Sequence, residues 1–338
     1  MTKEIETINP KSVPQVTLRT GDKMPIVGLG TFGSDRYTSD EVAEAVKTAI
    51  RMGYRHIDCA EVYQNEKEIG SAIAEVIAEG VVTREKLWIT GKVWNDKHSE
   101  VEKSCRKSLQ DLKIDYFDLY LVHWPFRNYH APFASPDDRN PDSKPFAKEE
   151  YLDTWKQMEG LVDKGMAKNI GTSNMTIAKF EATLPHMRIL PAANEMELHP
   201  CFQQPELFDY VVSKQIQPIG FSPIGSPRRP DRDRAEGDAV DIDHPVVQKI
   251  AKRLNVHPAV VCIKWGIQRG QVTIPFSVKS PQLFANLEAS VIDPLTTEEM
   301  TEMEAVDCNS RLIKGQVFLW EGAKGWEDLW DLDGVIAT

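Results

Sequence analysis

Short apolar stretches alternate along the chain with longer segments in which apolar residues recur every three or four positions. The short stretches are typical of buried strands, and the longer spacing is typical of amphipathic helices. Strands are predicted near residues 28–31, 55–59, 87–93, 118–123, 168–172, 192–197, 217–221 and 272–275. Helices are predicted near residues 40–52, 66–79, 99–112, 151–164, 176–184, 205–214, 245–254 and 281–289. Eight strands that alternate with eight helices predict an α/β fold, a (β/α)8 TIM barrel.

The segments outside this alternation lie mainly at the two ends of the chain. We find no repeat, low-complexity segment or linker, so residues 1–338 are predicted to form one domain. Residues 1–12 are predicted to be a flexible leader. The apolar runs 16–19 and 24–27 flank Gly21-Asp22, which predicts a β-hairpin before the first barrel strand.

The C-terminal tail, residues 309–338, is rich in tryptophan. It contains Trp320, Trp326 and Trp330, although the whole chain has only 8 tryptophans. Either these rings pack the tail onto the barrel, or they line a substrate or oligomer surface. The first interpretation is the simpler one, because large aromatic side chains stabilise by burial.

The run from Gly28 to Gly33 matches G-x-G-x-x-G, the dinucleotide-binding fingerprint of the Rossmann fold. That fingerprint requires a helix to begin directly at the glycines, so that its N-terminus meets the pyrophosphate. Here residues 34–38 intervene, and the next helix is predicted to begin at Ser39. We therefore interpret the glycines as part of the first barrel strand and its loop.

Two polar segments interrupt the alternation, and each follows the C-terminal end of a predicted strand. Residues 127–149 are rich in Pro, Asp, Asn and Ser and are predicted to form a loop. Residues 225–243 also form a predicted loop, and this loop contains Arg228, Arg229, Arg232 and Arg234. Barrel enzymes place their chemistry at this face, so both loops are predicted to lie over it. The arginines indicate either a solvated loop or a flap that closes on a pyrophosphate.

Composition excludes several function classes. The chain has 41% hydrophobic and 27% charged residues and a net charge of −11, which disfavours nucleic acid and anionic membranes as partners. No apolar run is long enough for a membrane span, and no signal peptide is recognisable, so the cytoplasm is the expected location. The five cysteines are widely spaced without a CxxC pair, and no His/Asp/Glu spacing implies a metal. The oligomeric state is not predicted.

Four side chains with proton chemistry lie at or near the C-terminal ends of predicted strands. Asp58 ends the strand near 55–59, and Tyr63 follows before a helix for which Asn65 is the expected N-cap. Lys92 and His123 lie at the ends of the next two strands. Taken singly, each has a structural interpretation: a helix-capping Asp, a half-buried loop Tyr, a strand-end Lys whose ammonium reaches solvent, and a core His. Four such groups at one face of a barrel favour a catalytic site instead.

At this point the sequence resembles the aldo-keto reductase family, over about residues 16–306. The run from Gly53 to Gly70 fits the family's first signature at every constrained position. The resemblance implies that Asp58, Tyr63, Lys92 and His123 form a catalytic tetrad. It also implies that the hairpin closes the N-terminal end of the barrel and that the tail covers the substrate pocket.

The resemblance further implies a nicotinamide cofactor, NADPH or NADH. It places Thr31 and Asp58 beside the cofactor, Ser173, Asn174 and Glu195 on the carboxamide, and Phe221 on the nicotinamide ring. Ser222, Ile224 and Ser226 would follow the pyrophosphate. Most relatives have Gln where Glu195 stands, and an ionised Glu accepts from the amide NH₂ but cannot donate to its oxygen. Asn286 corresponds to an asparagine at the adenosine end.

The adenosine end departs from the family pattern. Relatives carry Lys and Arg where this chain has Phe276 and Gln282, and those cations grip the 2′-phosphate of NADPH. Ser277 is retained, and Lys279 lies between the two changed positions. We therefore expect weakened selectivity for NADP, with NADH use possible.

The expected reaction is reduction of an aldehyde or ketone. Tyr63 is the expected proton donor, its pKa lowered by the Lys92 cation that Asp58 holds, and His123 is expected to orient the carbonyl as a neutral imidazole. Phe32, Trp94, Trp124 and Trp320 are the expected substrate-lining residues, together with His123. The polar segment 127–149 favours a polyhydroxylated substrate such as an aldose or a sugar-derived aldehyde.

Two alternatives belong to other classes. One is a metal-free barrel lyase or isomerase that uses Lys92 as a Schiff base. The other is a sensor or regulatory protein that binds a nicotinamide nucleotide without turnover. Neither class accounts for both the four proton-transfer groups and the separate pieces of a nicotinamide site.

Overall fold

A computed structural model describes residues 6–33, 36–130, 138, 140–226, 229–230 and 233–338. The strands are β1 Gln15–Thr17, β2 Lys23–Pro25, β3 Leu29–Gly30, β4 His56–Asp58, β5 Trp88–Val93, β6 Phe117–Val122, β7 Ala167–Ser173, β8 Ala193–Glu197, β9 Gln217–Phe221 and β10 Val272–Thr273. The helices are α1 Ser39–Met52, α2 Glu66–Ala78, α3 Val101–Leu112, α4 Lys148–Asp163, α5 Ile177–Thr183, α6 Pro205–Ser213, α7 Pro245–Leu254, α8 Pro258–Arg269, α9 Ser280–Glu288, α10 Thr297–Glu304 and α11 Glu327–Trp330. None of these helices is long and apolar enough to cross a membrane.

Strands β3 to β10 form one parallel sheet in sequential order. The first and last strands meet at a bridge between Val27 and Thr273, where Gly28 N–H donates to Thr273 O over 2.9 Å. Thr273 N–H donates in return to Ile26 O over 2.9 Å. The sheet therefore closes on itself, which confirms the predicted TIM barrel.

The glycines of the G-x-G-x-x-G run serve this closure. A Cβ on Gly28 would lie 2.7 Å from the His56 ring, and one on Gly30 would lie 2.9 Å from Ile274 O. Only glycine allows such a close approach between β3 and its neighbours. Helix α1 begins at Ser39, where Thr38 and Glu41 form a capping box, so no helix N-terminus follows the glycines directly.

The hairpin predicted before the barrel is present and closes the N-terminal end of the barrel. Strands β1 and β2 pair antiparallel. Leu18 and Met24 of this hairpin are buried with Leu119, Ile219 and Val272 from the barrel interior. The opposite end of the barrel is thereby the one that remains available for a site.

Part of the predicted flexible leader is packed. Ile8 is buried, and its N–H donates to Met52 O at the end of α1 over 2.7 Å. The expectation of a flexible leader therefore fails for this residue, because an apolar side chain fills a space beside α1. Residues 1–5 lie outside the described part of the chain.

Three helices were not predicted from the sequence: α8, α10 and the short α11. Helix α8 supplies the barrel helix between β9 and β10, whereas the predicted helix at 245–254, α7, is an additional helix in the same connection. Residues 260–266 of α8 are all buried, so the polar face that produces an amphipathic period is missing. Helix α10 is mostly polar, with Glu299 and Met303 as its buried residues, and has too few apolar positions to show a period.

Candidate active site

The C-terminal ends of three adjacent strands bring the four predicted catalytic side chains to one place. Asp58 is the last residue of β4, Lys92 lies in β5, and His123 follows β6. Tyr63 ends a short 3₁₀ helix after β4. Its ring lies 5.2 Å from the Phe32 ring and 5.8 Å from the His123 ring, measured between centroids. The four groups therefore share one cleft at the C-terminal face of the barrel.

Lys92 is the fully buried cation of this cleft. Its Nζ donates to Asp58 Oδ1 and, over 3.3 Å, to Cys59 O, and it lies 3.4 Å from Glu195 Oε1. The three side chains are between 0 and 3% exposed. Burial opposes the charge of Lys92, but Asp58 and Glu195 outweigh it and raise the pKa of the ammonium well above its usual value. Lys92 is therefore charged at neutral pH.

Tyr63 lies beside this cation, with its ring centre 5.4 Å from Lys92 Nζ. Burial raises the pKa of Tyr63 above its ordinary value, and Lys92 offsets only part of that rise. The expected net lowering of this pKa is therefore wrong, because desolvation of the phenolate is larger than its attraction to the lysine. Asp58 and Glu195 add to the rise. The phenol is protonated at neutral pH, as a proton donor must be.

His123 faces Tyr63 as a neutral ring. Burial, and then the nearby Lys92 charge, hold its pKa well below the usual range. Its Nδ1 has no hydrogen-bond partner within the described residues, while its backbone O accepts from Asn174 Nδ2 over 3.0 Å. The neutral imidazole expected from the sequence agrees with this environment.

Aromatic rings line the side of the cleft away from Lys92. Phe32 is 44% exposed, and the Trp94 ring lies 5.1 Å from the His123 ring. Phe318 of the tail lies 6.0 Å from Trp94 and was not predicted from the sequence. Trp124 is buried and packs on Phe318 at 4.8 Å, so it supports this wall from behind.

The tail is anchored against the barrel, and its tryptophans take part in the anchoring. Trp330 packs 5.5 Å from Trp124 and donates from Nε1 to Lys314 O over 2.9 Å. Trp320 and Trp326 pack against the same cluster while remaining partly exposed. A buried ion pair between Lys179 of α5 and Asp331 fixes the end of the tail, with Nζ to Oδ2 at 2.6 Å. The tail therefore packs onto the barrel and also brings Phe318 to the cleft.

On the opposite side of the cleft, β7 and β8 present the predicted carboxamide-binding residues together. Ser173 is in register with Glu195, and Asn174 N–H donates to Glu195 O over 2.9 Å. Asn174 has a φ of 57°, a left-handed conformation that asparagine adopts more readily than most other residues. Asn174 Oδ1 and Glu195 Oε2 are buried without a hydrogen-bond partner among the described residues.

Other residues predicted to bind the cofactor lie beside Asp58 and at or just after the end of β9. Thr31 Oγ1 donates to Asp58 O over 2.7 Å, and Asn65 Nδ2 donates to Thr31 O over 2.8 Å. Asn65 is at the N-cap position of α2, as predicted, but its side chain makes this bond and does not cap the helix. Phe221 and Ile224 are half-buried.

The loop after β9 has an unusual backbone. Ser222 and Ser226 have φ values of 52° and 36°, and Ser226 Oγ donates to Ser222 Oγ over 2.8 Å. Of the four loop arginines, Arg228 and Arg232 lie outside the described residues. Arg229 is buried and forms an ion pair with Asp238, so it stabilises the loop itself.

At the predicted adenosine end, Phe276 packs its ring 5.7 Å from the Tyr37 ring. Ser277 Oγ donates to Gln282 Oε1 over 2.7 Å and accepts from Lys279 N over 3.0 Å. Lys279 is exposed at the N-cap of α9, and Asn286 is buried in that helix. The two substituted positions, Ser277 and Lys279 thus lie around the N-terminus of α9, and Asn286 lies near its C-terminal end.

A buried charge cluster that includes Asp241, from the loop after β9, was not predicted from the sequence. His199 Nδ1 lies 2.9 Å from Asp241 Oδ1, and its Nε2 lies 3.0 Å from Glu197 Oε1. Glu197 also accepts from the backbone N–H of Leu312 and Ile313 in the tail. Burial opposes protonation of His199, but the two carboxylates outweigh it and raise its pKa to about 9. The partners are far apart along the chain, so no local pattern indicates the cluster.

The barrel and its cleft define a class of α/β-barrel enzyme with a buried Asp–Lys pair beside a Tyr and a His. A model of the aldo/keto reductase family matches residues 26–307. Aldo-keto reductase family 1 member A1-A of Danio rerio is 41% identical over 93% of this chain and 95% of its own. An aldo/keto reductase of Synechocystis is 38% identical over 95% of this chain and 97% of its own.

A solved structure supports the same family. An aldo-keto reductase of Bombyx mori, solved in complex with NADP, superposes with a TM-score of 0.78 at 33% identity. The match covers 91% of this chain and 96% of that one. The chain therefore belongs to the aldo/keto reductase family, and it is an NAD(P)H-dependent carbonyl oxidoreductase.

Proposed function

We propose that the protein reduces an aldose or a sugar-derived aldehyde to the alcohol, with Tyr63 as the general acid. The observation that carries this proposal is the buried Lys92–Asp58 pair beside Tyr63, which itself faces His123. Bound NAD(P)H supplies the hydride. The described residues fit such a cofactor, because Asn174 Oδ1 and Glu195 Oε2 are buried acceptors without partners at the place where a carboxamide would donate.

The side chains have complementary tasks in this reaction. His123, as a neutral ring, donates a hydrogen bond to the carbonyl oxygen and orients it. Tyr63 gives its Oη proton to that oxygen as negative charge develops there. Lys92 stabilises the tyrosinate that remains, and Asp58 holds Lys92 in position. Solvent then returns the proton to Tyr63.

The same environment opposes a Schiff-base mechanism. A lysine attacks a carbonyl only as the neutral amine, and enzymes that use one lower its pKa. Asp58 and Glu195 instead keep Lys92 protonated. Lys92 therefore supports Tyr63 electrostatically and does not act as a nucleophile.

A polyhydroxylated substrate is supported by the polar composition of residues 127–149, the described part of which is held beside the aromatic wall. Asn128, in the loop after β6, binds Phe318 O over 2.8 Å and Lys144 O over 2.7 Å, so this polar loop is tied to the tail beside the cleft. Trp94 and Phe32 provide flat apolar surfaces on which the C–H face of a sugar packs.

Rates with glyceraldehyde and propanal test the substrate class, since the two aldehydes differ only in hydroxyl groups. We expect kcat/KM to be about tenfold or more higher for glyceraldehyde, because each hydroxyl gains a hydrogen bond in the cleft. The measurement is the loss of reduced-cofactor absorbance. Equal kcat/KM values would contradict only the proposal of a sugar substrate. No turnover of either aldehyde would contradict the reductase function itself.

We also propose that the protein accepts NADH as well as NADPH. Phe276 and Gln282 supply no positive charge, and Gln282 is engaged by the Ser277 hydroxyl. Lys279 is the nearest cation of this segment, at the N-cap of α9. A single exposed lysine should bind the 2′-phosphate less tightly than the two cations of the relatives. It makes fewer charge-assisted hydrogen bonds, and these stabilise more than neutral ones.

A further inference from the structure

Glu195 places a second carboxyl group against the lysine that Asp58 already neutralises. Its Oε1 lies 3.4 Å from Lys92 Nζ, and both groups are almost fully buried. Two carboxylates beside one ammonium leave one negative charge uncompensated. Because an unpaired charge away from water is costly, the cluster favours the binding of one further proton.

The acceptor oxygens for such a proton are present. Asp58 Oδ2 and Glu195 Oε2 are both buried, and neither has a hydrogen-bond partner in the part of the chain that the structure describes. Both carboxyl groups contact the same Lys92 Nζ, so they lie beside each other. A carboxylic acid donates one hydrogen bond. In the free protein a proton on Glu195 is donated to Asp58, and in the complex the same proton is the donor that Glu195 offers to the carboxamide oxygen.

The groups that face Glu195 come from three elements: Asp58 from β4, Lys92 from β5 and Tyr63 from the turn after β4. Burial and the Asp58 charge raise the pKa of Glu195 well above its usual value, while Lys92 opposes them. The upward shift of this pKa therefore agrees with the excess of one negative charge in the cluster.

We propose that Glu195 binds the nicotinamide carboxamide as a neutral carboxylic acid, so that cofactor binding is linked to protonation of this one side chain. A neutral acid has both a donor and an acceptor, as the glutamine of most relatives does. An ionised Glu195 is an acceptor only, and it competes with Asp58 for Lys92. This inference rests on the proposed cofactor site and concerns its pH dependence.

The sign of the effect follows from this assignment. Cofactor affinity is highest where Glu195 is protonated and falls as the pH rises and the proton is lost. Between pH 7 and pH 10 we expect the dissociation constant of NADPH to rise roughly tenfold, as for the loss of one buried hydrogen bond. The 2′-phosphate of NADPH titrates below this range, at a pKa of about 6, and does not contribute.

The test is a titration of the protein with NADPH at several pH values, followed by tryptophan fluorescence. The Glu195→Gln variant should hold its affinity within about twofold over the whole range, since its amide does not titrate. Glu66→Gln is the matched control. Glu66 is a buried carboxyl group of α2, bonded to Ser108, with a pKa raised by burial to about 7. This variant should keep the wild-type profile.

Parallel pH profiles of wild type and Glu195→Gln would overturn the inference. Binding of NADPH by neither protein at any pH would instead contradict the proposed cofactor site. Should Glu195→Gln fail to fold, infrared spectroscopy of the wild-type protein gives a second readout. The spectrum is recorded on the Glu66→Gln variant as well, because Glu66 also gives a titrating band. A carboxylic-acid C=O band that remains in this variant and disappears on raising the pH supports the inference, and absence of such a band at pH 7 overturns it.

Discussion

Tyr63→Phe should lose nearly all turnover while its affinity for NADPH stays unchanged. The substitution removes the one phenolic proton that faces His123 and lies beside Lys92, and it keeps the ring that packs on Phe32. A positioned general acid contributes about 10²- to 10⁴-fold to a rate, so kcat should fall by that factor. The measurements are kcat with glyceraldehyde and the dissociation constant of NADPH from fluorescence quenching.

Tyr210→Phe provides the matched control for this experiment. Tyr210 lies on α6, and its hydroxyl bonds with Glu181 away from the cleft. Its loss should change kcat by no more than about twofold, as for an ordinary surface hydrogen bond. Turnover by Tyr63→Phe at about the wild-type rate would show that the proton comes from another group.

The double variant Phe276→Lys/Gln282→Arg should convert the protein to a strong preference for NADPH. The wild-type protein should bind NADPH and NADH with similar affinity. Each restored cation adds a charge-assisted hydrogen bond of about 1.5–3 kcal/mol, so NADPH selectivity should rise by about 100-fold or more. The selectivity is the ratio of the two dissociation constants, measured side by side by tryptophan fluorescence.

Phe276→Leu/Gln282→Met is the uncharged control for this conversion. It removes the Phe276 ring and the Gln282 amide, which accepts from Ser277, without adding charge. The selectivity of the control should remain close to that of the wild type. A wild-type protein that already prefers NADPH strongly would indicate that Lys279 or the loop after β9 binds the 2′-phosphate.

Sequence periodicity is sufficient to predict the eight strands and the hairpin, because buried strands form short apolar runs bounded by turn residues. The same signal fails at α8, whose residues from Val260 to Gly266 are buried on all sides. It also fails at Ile8, an isolated apolar residue in a polar segment whose burial depends on contact with α1. Periodicity therefore identifies elements with one polar face and misses those determined by tertiary packing.

The site residues were predicted from strand ends and a family resemblance, and the structure brings them to one cleft. Their electrostatics were less predictable. Whether the pKa of Tyr63 rises or falls depends on the competition between burial and Lys92, which only the three-dimensional arrangement decides. The approach of Glu195 to Lys92 likewise joins β8 to β5 across the barrel, and no spacing in the sequence indicates it.

The most direct test of the central claim is to follow the hydride itself. Wild-type protein is incubated with glyceraldehyde and NADPH or NADH deuterated at C4 of the nicotinamide, and the alcohol is analysed by mass spectrometry and NMR. We predict one deuterium on the former carbonyl carbon and none elsewhere. Alcohol without deuterium, from cofactor deuterated on either face, would contradict direct hydride transfer in this cleft.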